Sequence, residues 1–182
     1  RNCEVIATSS DPVKAMKADW YPRVKYIPFN LKDFDSSVNY FSYFNEPAAM
    51  IHLAWEGLPN YRESFHLQEN LPGHLVFLLN LVNYGLTDLT VTGTCFEYGM
   101  KEGSLKEDMQ TEPANPYAAA KDRLRKQAQK YQDIMPNFRI ATQSLRKGDT
   151  LPELQDILNE SFIQEADGKW RTPDPNEAKD RE

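Results

Sequence analysis

The sequence predicts an α/β fold in which a doubly wound parallel sheet is layered by helices, and three observations predict it. Short β-favouring runs alternate with helical stretches from Glu4 to Ala141. Each apolar run, such as Leu75–Leu79 or Ala48–Trp55, falls far below the ~18 residues of a membrane span. A chain of 182 residues with 40% hydrophobic and 12% aromatic content has the material for one core.

Glu4–Thr8 reads as the first strand, and Ser9-Ser10-Asp11-Pro12 places a cap and a helix-opening proline before a helix over Pro12–Asp19. Val24–Phe29 is the second strand, and Phe34–Phe44 an aromatic helix ending before Pro47. Ala48–Ala54 is apolar almost throughout, as a strand covered on both faces should be. Leu67, Leu71, Leu75, Leu78 and Val82 recur at threes and fours, which predicts an amphipathic helix over Tyr61–Tyr84, kinked at Pro72 and closed by Gly85. Leu89–Thr92 is the next strand, Asn115-Pro116 opens a helix over Tyr117–Gln132, and Phe138–Ala141 is the last strand. Residues 1–148 therefore form one unit. Residues 149–182 read as an acidic helix, Leu151–Phe162, and an extended or disordered polar tail.

The net charge is −6 and the isoelectric point near 5.2, which argues against nucleic acid and anionic membrane as partners. Residues 147–182, with 5 basic and 10 acidic side chains, hold −5 of that charge. Cys3 and Cys95 are too few for a disulfide framework and are expected in apolar strands, so a reducing cytoplasm is the expected compartment. No leader is legible, and a start at Arg1 without Met reads as a piece of a longer product. His52, His66 and His74 lack metal-site spacing and are expected at the surface or satisfied internally. Lys121, Arg123, Arg125, Lys126 and Lys130 read as a solvated basic face, and Glu97 as either a pocket or a loop residue.

Chemistry concentrates in Val91–Gly99 and Pro116–Lys121. In a parallel α/β sheet, ligands meet the carboxyl ends of the strands, and Thr94 stands where the strand ending at Thr92 emerges. Tyr117 and Lys121 are four apart at a helix start and share a face. A nearby ammonium favours the ionised phenol, so Thr94, Tyr117 and Lys121 suit proton transfer at a hydroxyl whose hydride goes to a nicotinamide. The spacing alone is weak, since Tyr21 and Lys25 match it too. Strand, tip hydroxyl and helix start make the second pair distinctive.

Together these residues resemble the extended short-chain dehydrogenase/reductase family, in its nucleotide-sugar epimerase/dehydratase branch, over about residues 3–144. Thr94 before Tyr98-Gly99, Tyr117-x-x-x-Lys121, Ile51-His52-Leu53-Ala54 and the helix asparagine Asn70 carry the resemblance. It implies a Rossmann-like fold, NAD or NADP as cofactor, a nucleotide-sugar substrate and a homodimer formed through the two long helices. By the resemblance Tyr117 is the general acid/base, Lys121 lowers its pKa and binds the nicotinamide ribose, and Thr94 holds the reacting oxygen. Ser10 and Asp11 meet the adenosine ribose, Asn30 and Leu31 the adenine, and Leu53, Ala54, Trp55 and Asn70 the rest of the cofactor. For Asn30 and Trp55 a loop cap and a packed aromatic are equally good readings.

The sequence also departs from that pattern. Cys95-Phe96 stands where sugar-nucleotide 4,6-dehydratases carry Asp-Glu, which favours epimerisation or ketone reduction. The family's first strand and Gly-rich phosphate turn are lacking, and so is its substrate domain. The strand would sit between Glu4–Thr8 and Ala48–Ala54, leaving two strand edges unpaired. Either the sequence is a fragment of an active enzyme, or it is a non-catalytic binding or scaffold protein that kept the dehydrogenase core.

Overall fold

A computed structural model describes residues 4–103, 105–106, 108–134, 139–140, 163–164 and 170–171. Ile6–Ser9 (β1) leads into Pro12–Met16 (α1), where the Asp11 carboxylate accepts the Lys14 amide at 2.9 Å and Pro12 occupies the first turn. Lys25–Pro28 (β2) pairs in parallel with β1, Ile6 opposite Lys25. Met50–His52 (β3), Asp88–Val91 (β4) and Arg139–Ile140 (β5) form a second parallel sheet in that order. Among the described residues no ladder joins β1 to β3, the two edges between which the sequence reading places a further strand.

Leu71–Asn83 (α3) supplies the centre of the core. Leu71, Leu75, Leu78 and Leu81 are wholly buried, and they meet Leu89 of β4 and Leu124 of Pro116–Ile134 (α4). Along α4, Ala120, Leu124, Ala128 and Tyr131 recur at threes and fours and form its buried stripe. Phe29, Phe34, Tyr40, Phe44 and Phe77 pack edge and face against one another beside it.

Several expectations need correction. Within Phe34–Phe44 only Tyr40–Tyr43 (α2) is helical. The preceding backbone spends its polar groups on side chains instead: Asp35 donates its amide to the Tyr40 hydroxyl, and Asn80 takes the Tyr40 amide and donates to the Val38 carbonyl. The long helix starts at His66, not Tyr61, and passes through a π turn at His66–Asn70 before α3. Pro72 has no amide to give the preceding turn, and the widened turn ahead of it absorbs that loss. Helix α3 is buried on most sides by its own chain. On β3 only His52 is buried, while Ile51 and Leu53 are 65% and 67% exposed, so the strand is covered on one face. Cys95 lies in an exposed turn, not a strand.

Cys3 and Leu151–Phe162 lie outside the described residues. In the tail, Ile163–Gln164 (β6) and Trp170–Arg171 (β7) pair antiparallel. No helix among the described residues is long and apolar enough to cross a membrane.

Candidate functional site

Strand β4 ends at Val91, and the chain turns through Thr94 into a short 3₁₀ helix, Cys95–Tyr98. Thr94 caps that turn: its hydroxyl faces the Phe96 amide, and its own amide donates to Glu97 Oε1 at 2.7 Å. Gly99 leaves the turn at φ +72°, and a β-carbon there would run into the Glu112 carbonyl oxygen. That is the physical reason for glycine after Tyr98.

Helix α4 begins beside this turn, with the Asn115 side chain accepting the Ala118 amide at 2.9 Å. Tyr117, in its first turn, donates its amide to the Tyr61 carbonyl at 3.2 Å and sits among the rings of Trp55, Tyr61, His66 and Phe96. Burial raises the Tyr117 pKa, and the hydrogen bond from the Thr94 hydroxyl offsets this only in part. The lowering effect expected of Lys121 does not set the balance here. Lys121 is itself buried, its pKa is lowered by that burial, and its ammonium lies 4.7 Å from the centre of the Trp55 ring. Thr94, Tyr117, Lys121 and Trp55 thus form one cluster at the carboxyl end of the sheet.

The three histidines lie under this cluster, buried and hydrogen-bonded rather than at the surface. His52 Nε2 and His74 Nδ1 are 2.8 Å apart, and the Trp55 ring stacks on His74 at 4.7 Å and 7°. Burial, helped by the Lys121 charge, lowers the His52 pKa to about 4, and His74 is pushed down by burial, His52 and Lys121. Asn70 donates to the Glu56 carbonyl at 3.0 Å and faces His66. Among the described residues no group of three or more His, Cys, Asp or Glu side chains is arranged to hold a metal ion.

The basic face of α4 is not simply solvated. Arg125 binds Glu97 at 3.0 Å and Asp122 at 2.8 Å, and Lys126 reaches Asp122 at 2.6 Å. Glu97 is buried, and its charge acts to raise the pKa of both Tyr117 and Lys121. Burial would raise the Asp122 carboxyl, but hydrogen bonds from Lys126, Arg125 and Thr111 outweigh it and hold the pKa down.

The other expected cofactor residues fall into two groups. Ser10 and Asn30 line a cleft of 340 Å³ at the carboxyl ends of β1 and β2, with Ser9, Phe29, Asp33 and Tyr43. Asn30 also caps the turn Leu31–Asp33 through the Lys32 amide, and Asp11 is engaged as the α1 cap, so both have structural work. Leu31 packs partly on the core, whereas Leu53 and Ala54 are exposed beside Trp55. The cleft at the ends of β1 and β2 thus presents hydroxyl and amide groups. Sequence reasoning did not find Tyr61, Phe96 and His66 as neighbours of Tyr117. Their only local signal is His66 one helical turn before Asn70.

Comparison with known proteins agrees with this geometry. Residues 1–142 match the model of the NAD dependent epimerase/dehydratase family. A dTDP-6-deoxy-L-talose 4-dehydrogenase (NAD(+)) of Aggregatibacter actinomycetemcomitans is 31% identical over 91 residues, half of this chain and 33% of that protein. UDP-glucuronic acid 4-epimerase from Bacillus cereus, solved with NAD, superposes with a TM-score of 0.58 at 18% identity, over 75% of this chain and 46% of the epimerase. MoeE5, solved with UDP-glucose and NAD, gives 0.57 at 19% identity, over 75% and 43%. The chain therefore spans a third of the curated relative and under half of each solved one. These likenesses show a Rossmann-like fold, and with the family match over most of its length the chain belongs to the NAD dependent epimerase/dehydratase family.

Proposed function

We propose that the protein containing this chain moves a hydride between a nicotinamide cofactor, NAD or NADP, and a ring carbon of a nucleotide sugar, as an epimerase or 4-ketoreductase. The clustering of Thr94, Tyr117 and Lys121 at the end of β4 carries the reading. The cofactor supplies the hydride acceptor and donor. Tyr117 holds the proton at its phenol oxygen, and burial keeps that phenol neutral, which suits it to protonate an oxygen as a carbonyl is reduced. In the reverse direction the phenol must lose its proton, and the Lys121 ammonium on the same helix face favours the anion. Thr94 hydrogen-bonds the same oxygen and orients it. Ser10 and Asn30 hold the adenosine end, Asp11, Leu31, Leu53 and Ala54 border the cofactor's path, and Trp55 and Asn70 support the reactive end.

The dTDP-sugar dehydrogenase likeness and the sugar-nucleotide complexes among the solved relatives support the substrate class. A homodimer through the two long helices belongs to the same proposal, and a cytoplasmic location goes with it. Titrating NADH and NADPH into the 182-residue chain, while following nicotinamide fluorescence and melting temperature, tests the cofactor half, because binding stabilises the fold by mass action. Tyr117→Phe in the longest form of the protein tests the chemistry: turnover should vanish while cofactor binding persists. Full activity in that variant overturns the proposal.

A further inference from the structure

Lys121 is buried, and among the described residues the Glu97 carboxylate acts on its ammonium through charge, without an ion pair in contact. Its recorded partner is the Trp55 ring, 4.7 Å away. A buried cation needs compensation: the Glu97 carboxylate favours its charged form without hydrogen-bonding it, and an indole face is the strongest contact that an uncharged side chain provides.

The indole is itself fixed. Its Nε1–H donates to His66 Nδ1 at 3.1 Å, and His66 Nε2 lies 3.0 Å from the Asn60 carbonyl, which can only accept. The second contact requires the proton on Nε2, so Nδ1 is left free to accept from Trp55. The Trp55 ring also stacks on His74, which His52 holds at 2.8 Å, and it meets Tyr117 edge to face at 5.9 Å. One indole thus touches the two groups that the proposed chemistry uses and is held by two histidines.

We infer that Trp55 is a positioning residue: clamped by His66 and His74, it seats the Lys121 ammonium and so fixes where that charge stands relative to Tyr117. This rests on the reading of Tyr117 and Lys121 given above. A residue merely filling space would need no hydrogen-bonded indole nitrogen and no cation on its face.

The test needs neither substrate nor cofactor, so its failure is distinct from failure of the proposed reaction. In the 182-residue chain labelled with [¹³Cε]lysine, the Lys121 ε-methylene signal, assigned by its loss in Lys121→Arg, should lie upfield of the other lysines through the indole ring current. Trp55→Leu should return it to the ordinary lysine position and move its titration midpoint to lower pH, and Trp55→Phe should keep part of both effects. His66→Leu should shift the Trp55 indole N–H signal, assigned by its loss in Trp55→Phe. An unshifted Lys121 signal in the unmutated chain overturns the inference even if the variants fail to fold. So does a Lys121 signal that stays put in a folded Trp55→Leu protein.

Discussion

Glu97 and Arg125 form an ion pair at 3.0 Å that joins the turn carrying Thr94 to the helix carrying Tyr117 and Lys121. The Glu97 side chain is only 3% exposed, and its second oxygen holds the Thr94 amide. The distance between tip hydroxyl and helix is therefore set by a carboxylate that touches neither reacting group. Glu97→Ala orphans a buried amide and part of a guanidinium and should cost about 2–3 kcal/mol, less than a fully buried pair because Arg125 keeps Asp122. Glu97→Gln, which still accepts from Thr94, should cost less. Urea midpoints at unchanged slope measure both.

Gly99 tolerates no side chain. Alanine at φ +72° is strained, and its β-carbon meets backbone, which cannot swing aside as a side chain can. Gly99→Ala should lose about 2–4 kcal/mol. A thermal melt within a degree or two of the unmutated chain would refute this.

Asn80 is buried and satisfies two main-chain groups of the loop before α2. Asn80→Ala leaves the Tyr40 amide and Val38 carbonyl without partners and should destabilise by about 2–3 kcal/mol. Asn80→Asp keeps the acceptor but loses the donor, so its loss should be smaller at low pH, where the acid can donate, than at pH 7. Denaturation at the two pH values compares them.

The His52–His74 pair makes stability depend on pH in a stated direction. The folded pKa of His52, about 4, lies below its unfolded value near 6.5, so between these values the unfolded chain binds the extra proton. Stability should be full above pH 7 and fall as pH drops through 6.5 towards 4, by on the order of 2 kcal/mol at pH 5 from His52, with His74 acting in the same direction. His52→Asn should flatten the profile of melting temperature between pH 7.5 and 5. A variant profile as steep as the original would show that other groups set it.

Much of the fold was legible because it follows local rules. Asp11-Pro12 and Asn115-Pro116 are cap and helix start in the sequence and in the structure. The strands β1 to β5 overlap the β-favouring runs that suggest them, β1 and β4 each reaching one residue beyond. The aromatic stretch Phe34–Phe44 misled, because Phe34 and Tyr40 pack on Phe77 and the loop leans on Asn80, which are tertiary contacts without a local period. In the site, strand tip, helix start and spacing together singled out Thr94, Tyr117 and Lys121, which the structure brings together beyond β4. The seat of Lys121 on Trp55 was not legible, since it joins positions 66 apart in sequence and depends on how α4 lies beside the loop after β3. Glu97 was ambiguous for a similar reason: a carboxylate reads as surface unless its arginine, on another element, is known.

The gap between β1 and β3 divides the molecule's amide protection. Among the described residues no ladder ties β1–β2 to the other sheet, and side chains such as Phe29 on Phe77 link the two wings. Each wing can then open alone, so amides of β1 and β2 should exchange with solvent well before those of α3 and β4. A dinucleotide reaching from Ser10 to Tyr117 would contact both wings, and its binding would appear as slowed exchange in β1 and β2, turning two separately opening units into one.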